Sequence, residues 1–226
     1  MIILAIDTST DYLSLAILKG GRLAAKFHRK AHRKHSMLLV PTIDKLLKKA
    51  KLKIKEIDCF AISVGPGSFT GLRIGVTVVK GLAYVLKKHI VAVPTLDSIA
   101  HNAEGFKGII CPVLDARKNK VYACLYKSNG KTIKRISKYL LLPAEELLKK
   151  FFTVRHNILL FGDAAGKIFT GCSIAGPVKI IVKDWYPKAE IVARLGAEYY
   201  KDKKFVKAEE LEPMYLYSHE CDIRGI

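Results

Sequence analysis

The residues best arranged for chemistry run from Gly65 to Gly75: Gly-Pro-Gly-Ser-Phe-Thr-Gly-Leu-Arg-Ile-Gly, after the apolar run Cys59 to Val64. A strand, a glycine turn and a helix N-terminus is the general layout of an anion site, because unpaired backbone N–H groups and the helix dipole converge there. The two phosphate motifs built on that layout do not fit. The dinucleotide fingerprint needs glycine where Thr70 stands, and the P-loop needs Gly-Lys-Ser/Thr where Thr70, Gly71 and Leu72 stand. On residue types alone the segment is either a structural turn or a contact for a ligand or partner. Metal and nucleophile arrangements fail more plainly. His28 and His32 have a spacing that could pair on a metal if helical, but they lie at a strand end among Arg29, Lys30, Arg33 and Lys34, with no carboxylate nearby. Ser68 is followed by Phe69 and Thr70 rather than by a nucleophile elbow, and no cysteine adjoins a histidine in a polar context. No metal site and no covalent catalyst is expected.

The elements that hold this segment follow from punctuation and period. Gly-Pro-Gly stops the strand; Pro66 fixes φ and Gly67 tolerates φ > 0, which predicts a type II turn over Gly65 to Ser68, with Ser68 capping the next helix. From Phe69, the positions Leu72, Val76, Val79, Ala83 and Leu86 recur at helical spacing and predict a core-facing stripe. Ser68, Gly71 and Gly75 form a second stripe with almost no side chain, where another backbone can come close. Each helical glycine costs roughly 1 kcal/mol relative to alanine, which the close approach must offset. Upstream, Leu39, Ile43, Leu46, Leu47 and Ala50 mark an amphipathic helix, and Pro41 predicts that it starts late or bends. Met37, Leu38 and Pro41 are apolar beyond what one core stripe requires. The candidate partner-facing residues are therefore Met37, Leu38, Pro41, Ser68, Gly71 and Gly75.

In chain order the pattern repeats. Ile2 to Ile6, Leu13 to Leu18 and Leu23 to His28 read as a three-strand meander, followed by helix, strand, helix, a strand at Ile90 to Val93 and a short helix to Ala103. Ile109 to Leu114, Val121 to Tyr126 and Thr132 to Leu142 repeat the meander. A helix after Pro143, strands at Asn157 to Phe161 and Val178 to Val182, and a helix carrying Ala189, Val192, Leu195 and Tyr199 follow. Asp115 then stands where Asp7 stands in the first half. Three strands, helix, strand, helix, strand, helix, given twice, predicts an α/β protein of two actin-like (RNase H-like) lobes, each a five-stranded mixed sheet flanked by helices. Asn102, Glu104 and Gly105 break the apolar pattern and place the boundary between lobes 1–103 and 104–226.

The segment Gly65 to Gly75 resembles the signature of the bacterial TsaB (YeaZ) family. The resemblance extends to Asp7-Thr8-Ser9-Thr10, His35-Ser36, Lys80-Gly81-Leu82-Ala83, Asp115-Ala116-Arg117 and Pro213-Met214-Tyr215-Leu216, nearly the whole chain. It implies a non-catalytic scaffold or activator subunit that supports TsaD in threonylcarbamoyl transfer to the tRNA adenosine next to the anticodon. TsaE would be the ATPase partner, tRNA would be met through the complex, and the chain would pair with itself when TsaD is absent. In the wider superfamily, acidic turns and a glycine-rich segment hold ATP and its metal. Here Asp7, Thr8, Ser9, Asp115, Gly162 and Asp163 are the corresponding candidates, but Ser9 and the pair Arg117-Lys118 stand where glycines are usual. Side chains there fill the space a phosphate needs, so no cofactor is expected, with ATP or ADP the only nucleotide candidates. The alternative is that Asp7 and Asp115 cap turns at strand ends. Metal histidines of TsaD are absent from Pro94 to Ala100, and Tyr217 stands where the family usually has arginine. A metal-dependent glycoprotease-like hydrolase and an ATP-dependent small-molecule kinase are the alternative functions, opposed by the same missing ligands and glycines.

Composition bounds the rest. The chain has 226 residues, enough for one domain or two small lobes, and five cysteines without a Cys-x-x-Cys pair, which reads as reduced core thiols. No signal peptide and no apolar run long enough to span a bilayer is read, so a soluble cytoplasmic protein with no membrane partner is expected. The formal net charge of +19 is densest at Lys26 to Lys34, Lys45 to Lys55 and Lys201 to Lys207. It is either a solvated lysine-rich surface or an RNA-facing field.

Overall fold

The opening meander forms as its alternation predicts. In the computed structural model, which describes residues 1–152, 157–169, 178–181 and 185–216, β1 (Ile2–Asp7), β2 (Tyr12–Lys19) and β3 (Arg22–Lys30) pair antiparallel. The buried strand β4 (Cys59–Gly65) adds to β1 in parallel and β5 (His89–Pro94) adds to β4, giving the order β3-β2-β1-β4-β5. Both faces of this sheet are covered. Ala61 and its neighbours Ala5, Ala16 and Val91 meet α6 (Ala189–Lys201), while Ile62 points to α2 (Phe69–Leu86), which lies beside α1 (His35–Lys49) on the opposite face. A strand buried on both faces must be apolar at every position, which is why Cys59 to Val64 shows no alternation. A short helix, α3 (Thr95–Ala100), follows β5.

The second sheet is built on β6 (Lys107–Asp115), flanked by β7 (Lys120–Ala123) and β11 (Ile158–Phe161). β10 (Leu140–Pro143) and β12 (Val178–Ile181) are the outer strands, and the hairpin β8 (Tyr126–Asn129) and β9 (Ile133–Arg135) pairs with the first half of β6. Helices α4 (Ala144–Phe152) and α5 (Asp163–Phe169) cover a core of Cys111, Val113, Val121, Leu147 and Leu160.

Five expectations change. The second sheet has seven strands rather than five, because the strand expected from Thr132 to Leu142 divides into β9 and β10, and the strand expected from Val121 to Tyr126 breaks at Cys124 and Leu125. The break falls opposite Pro112, which has no N–H to give a ladder, and Ser137 Oγ accepts the freed Leu125 N–H at 2.9 Å. The two compact units are Met1–Asn102 with Tyr186–Pro213, and Ala103–Trp185 with Met214–Ile226, so residues 186–213, α6 among them, leave the expected 104–226 lobe. The apolar stripe of α6 is used against the first sheet, and Ser14 Oγ accepts the Ala189 N–H at 2.9 Å. α1 starts at His35, a full turn and more before Pro41, which sits on its exposed side. In the glycine turn the positive φ, +119°, falls on Gly65 and not on Gly67, and the Gly65–Pro66 peptide is cis. Last, α2 is by length and hydropathy able to cross a membrane, unlike anything read from the sequence. Here Leu72, Val76, Val79 and Ala83 bury one side of it in the first unit.

Candidate functional site

The turn after β1 is sealed by the start of α2. Asp7, Thr8 and Ser9 are all buried. The Ser9 carbonyl accepts the Ser68 N–H at 2.7 Å, and the Thr8 hydroxyl donates to the Gly71 carbonyl at 2.7 Å. Ser68 exposes itself and caps α2, its Oγ accepting the Gly71 N–H at 3.3 Å. A Cβ on Gly67 would collide with the Ser9 carbonyl oxygen, one on Gly71 with the Thr8 carbonyl oxygen, and one on Gly75 with the Thr8 hydroxyl. The glycines are thus needed for a close approach, but the approaching backbone is this chain's own turn. Gly71 and Gly75 are buried and do not form the open stripe expected of them.

Within the sealed turn, Asp7 Oδ1 accepts from the Ser9 N–H at 3.0 Å and the Ser9 hydroxyl at 2.9 Å. Burial raises the carboxyl to about 6; Ser63 and Ser9 act in the opposite direction and only partly offset it. Asp7 Oδ2 and the Ser63 hydroxyl are buried without a hydrogen-bond partner among the described residues. Thr8 and Ser9 direct their carbonyls and hydroxyls to α2 or to Asp7, and the cradle expected of a phosphate turn is filled by protein. The other three nucleotide candidates lie in the second unit. Asp163 Oδ1 accepts the Asp115 N–H at 2.8 Å, and Asp115 Oδ1 accepts the Arg117 N–H at 2.8 Å. Gly162, at φ +143°, lets the chain pass the Val113 carbonyl. Arg117, Lys118 and Asn119 all hold left-handed backbone, with side chains where a phosphate-binding turn has glycine. Among the described residues no three His, Cys, Asp or Glu side chains cluster to hold a metal. His28 ends β3 stacked on Tyr12 and Tyr186, and His32 lies exposed in the turn beyond. Tyr217 lies outside the described residues.

What the first unit does present is an apolar face. On α1, Met37 is 70 % exposed, and Leu38, Val40 and Pro41 are exposed beside it. On the adjacent α2, Phe69, Tyr84 and Val85 are exposed, the last two at 68 % and 77 %, and Arg73 folds its guanidinium over the Phe69 ring at 3.9 Å. The helix carries no acidic residue. Thr70, Thr77 and Gly81 run between these side chains, all exposed, and a Cβ on Gly81 would meet nothing within 4 Å. A mid-helix glycine costs about 1 kcal/mol, and nothing among the described residues uses the space at Gly81. Sequence reasoning found the close approach at Gly71 and Gly75 but gave it to a partner, whereas Thr8 of this chain makes it. The signal for Gly81 was its place on the wheel, across from Val76, Val79 and Ala83 and between Thr77 and Val85.

The chain thus combines two α/β units, a turn after β1 filled by its own backbone and side chains, and an apolar face on α1 and α2. Residues 28–158, more than half of the chain, match the family model described as "TsaD: tRNA N6-adenosine threonylcarbamoyltransferase". A TsaB protein of Bacillus subtilis, called a tRNA threonylcarbamoyladenosine biosynthesis protein, is 39% identical over 58% of this chain and 57% of its own length. TsaB of Buchnera aphidicola subsp. Schizaphis graminum is 31% identical over 84% of this chain and 90% of that protein. The solved YeaZ structure from Pseudomonas aeruginosa superposes with a TM-score of 0.80, at 27% identity over 95% of this chain and 99% of that one. The chain belongs to the TsaB (YeaZ) family, within the wider group that the TsaD description covers.

Proposed function

We propose that this chain is the non-catalytic subunit that supports TsaD while TsaD moves a threonylcarbamoyl group onto the tRNA adenosine next to the anticodon. The observation that carries this reading is the apolar face on α1 and α2. Burying it removes water from Met37, Leu38, Phe69, Tyr84 and Val85, which at roughly 25 cal/mol per Å² is the driving force for association. A TsaD helix pair laid over Gly81 makes a four-helix contact, and a second copy of this chain can take the same place when TsaD is absent. TsaE joins the pair as the ATPase. No nucleotide is required by this subunit, because the turn at Asp7 is sealed by α2, and we place the complex in the cytoplasm.

The test is reconstitution. TsaD and TsaE from the same organism, a threonylcarbamoyl-adenylate donor and an unmodified tRNA transcript are combined with and without this chain. Modification is expected to depend on the chain, while the chain alone neither modifies tRNA nor hydrolyses peptides. Modification at full rate without it would contradict the supporting role, and peptidase activity of the pure chain would return the hydrolase reading. That reading and the kinase reading are disfavoured by the filled turn and the family match.

A further inference from the structure

Between Lys26 and Lys55 stand eleven lysines and arginines against one acidic residue, Asp44, so this short stretch carries a formal +10 of the chain's +19. In the fold these cations gather at the two ends of α1, about 22 Å apart for fifteen residues at 1.5 Å each. Arg29, Lys30, Arg33 and Lys34 are exposed at the end of β3 and in the turn before the helix. Lys45, Lys49, Lys51 and Lys53 are exposed on its last turns and just beyond. Lys26 is paired with Glu190 at 2.8 Å and Lys48 with Asp44 at 2.7 Å, whereas none of those eight has an ion pair among the described residues. Two acids come near. The Asp11 carbonyl accepts the Ala31 N–H in the first group, and the Glu56 carboxylate accepts the Lys53 N–H in the second, leaving each end strongly positive.

Like charges held together on a surface repel and weaken the fold unless a counter-charge is supplied. Here the two positive ends frame Met37, Leu38 and Pro41, the strip that the proposed function gives to TsaD. A partner sealed over that strip leaves both ends on the rim of the contact. The counter-charge that suits this layout is a long polyanion, able to bridge about 22 Å past a protein-covered centre. A bilayer would instead need the apolar strip for itself. Lysine and arginine neutralise phosphates without reading bases, so such a surface grips a backbone and leaves sequence to another subunit. We propose that the two cationic ends of α1 are a binding surface for an RNA backbone, that of the tRNA being modified. The identity of the RNA rests on the proposed function; the surface itself rests on the charge layout.

The test uses the reconstituted heterodimer with TsaD and a fluorescently labelled transcript of a tRNA that reads A-starting codons, with anisotropy followed across a range of KCl concentrations. One variant carries Arg29→Gln, Lys30→Gln, Arg33→Gln and Lys34→Gln; a second carries Lys45→Gln, Lys49→Gln, Lys51→Gln and Lys53→Gln. A control loses the same charge elsewhere, by Lys201→Gln, Lys203→Gln, Lys204→Gln and Lys207→Gln. Each end variant is expected to bind tRNA about tenfold or more weakly and to flatten the slope of log K against log salt by up to about 3.6, at about 0.9 per lost phosphate contact. The control should change affinity less than about threefold. Equal losses in all three variants, or none at the ends, would overturn the surface. Gel filtration of the same samples separates the two readings. A wild-type chain that never joins TsaD sinks the proposed function, and the variant series on the chain alone then decides the RNA surface. End variants that lose TsaD but keep tRNA affinity would show the cations facing an acidic protein rim, and variants that lose only binding to phosphatidylglycerol vesicles would show a membrane surface. Either result overturns the RNA proposal.

Discussion

Asp7→Asn is expected to stabilise the first unit at neutral pH, although it alters a fully buried residue. Burial raises the Asp7 carboxyl from the ordinary 3.8 to about 6, with nearby Ser63 and the hydrogen bonds of Ser9 acting in the opposite direction. A carboxyl whose folded value lies above its unfolded one favours folding while protonated. That contribution is complete below pH 3.8 and is lost as pH rises through 6. The full difference corresponds to about 3 kcal/mol, of which roughly half is crossed between about pH 5 and 7.5. Asparagine keeps an oxygen for the Ser9 N–H and hydroxyl and places an amide N–H beside the unpartnered Ser63 hydroxyl. It also removes the ionisation. The gap in Tm between Asp7→Asn and wild type should therefore widen with pH by roughly 2–4 °C per kcal/mol over that window, followed by far-UV circular dichroism. A gap that is constant with pH, or a variant less stable than wild type at about pH 7.5, would show that Asp7 carries no desolvation cost and that the sealed turn is wrongly described.

Gly75→Leu should unfold or severely destabilise the first unit, by several kcal/mol in urea denaturation, since Thr8 and Ile62 occupy the space; a fully stable Gly75→Leu would refute the packing of α2 on the β1–β2 turn. Cys59 and Cys111 should resist thiol reagents in the native chain, because burial pushes the first thiol up to about 12 and raises the second as well. Rapid native labelling of either, located by mass spectrometry, would contradict the core assignment.

Much of the first unit was legible because its signals are local. Lys19 to Arg22 turns a hairpin, Gly-Pro-Gly stops β4, and Leu72, Val76, Val79 and Ala83 mark the buried side of α2. The direction of the second stripe was not legible. Ser68, Gly71 and Gly75 announce that something comes close, but only the fold reveals it to be Thr8 and Ser9. Gly81 was passed over although the wheel sets it opposite Val76, Val79 and Ala83, because the stripe of Ser68, Gly71 and Gly75 already accounted for a close approach. The return of α6 to the first unit was equally hidden. An amphipathic stripe of Ala189, Val192 and Leu195 specifies an apolar partner but not which sheet supplies it. Pro112 was visible as a residue without an N–H, yet the strand it interrupts became known only once β7 and β8 had found their places along β6. The candidate nucleotide residues were found at turns, and Ser9 signalled a crowded one, but sequence could not say that the start of α2 seals it.

The central claim, that the open face of α1 and α2 receives TsaD, is tested most directly by titrating purified TsaD into wild type and into Gly81→Leu by calorimetry. Leucine replaces a mid-helix glycine with open space around it, so the isolated variant should be as stable as wild type or more stable by up to about 1 kcal/mol. In the complex the same side chain would stand where the partner backbone comes closest, and overfilling it should weaken binding by about tenfold or more. A variant that is at least as stable yet binds TsaD weakly is the expected result. Equal affinity of the folded variant and wild type for TsaD would contradict the account and place the contact elsewhere on the molecule.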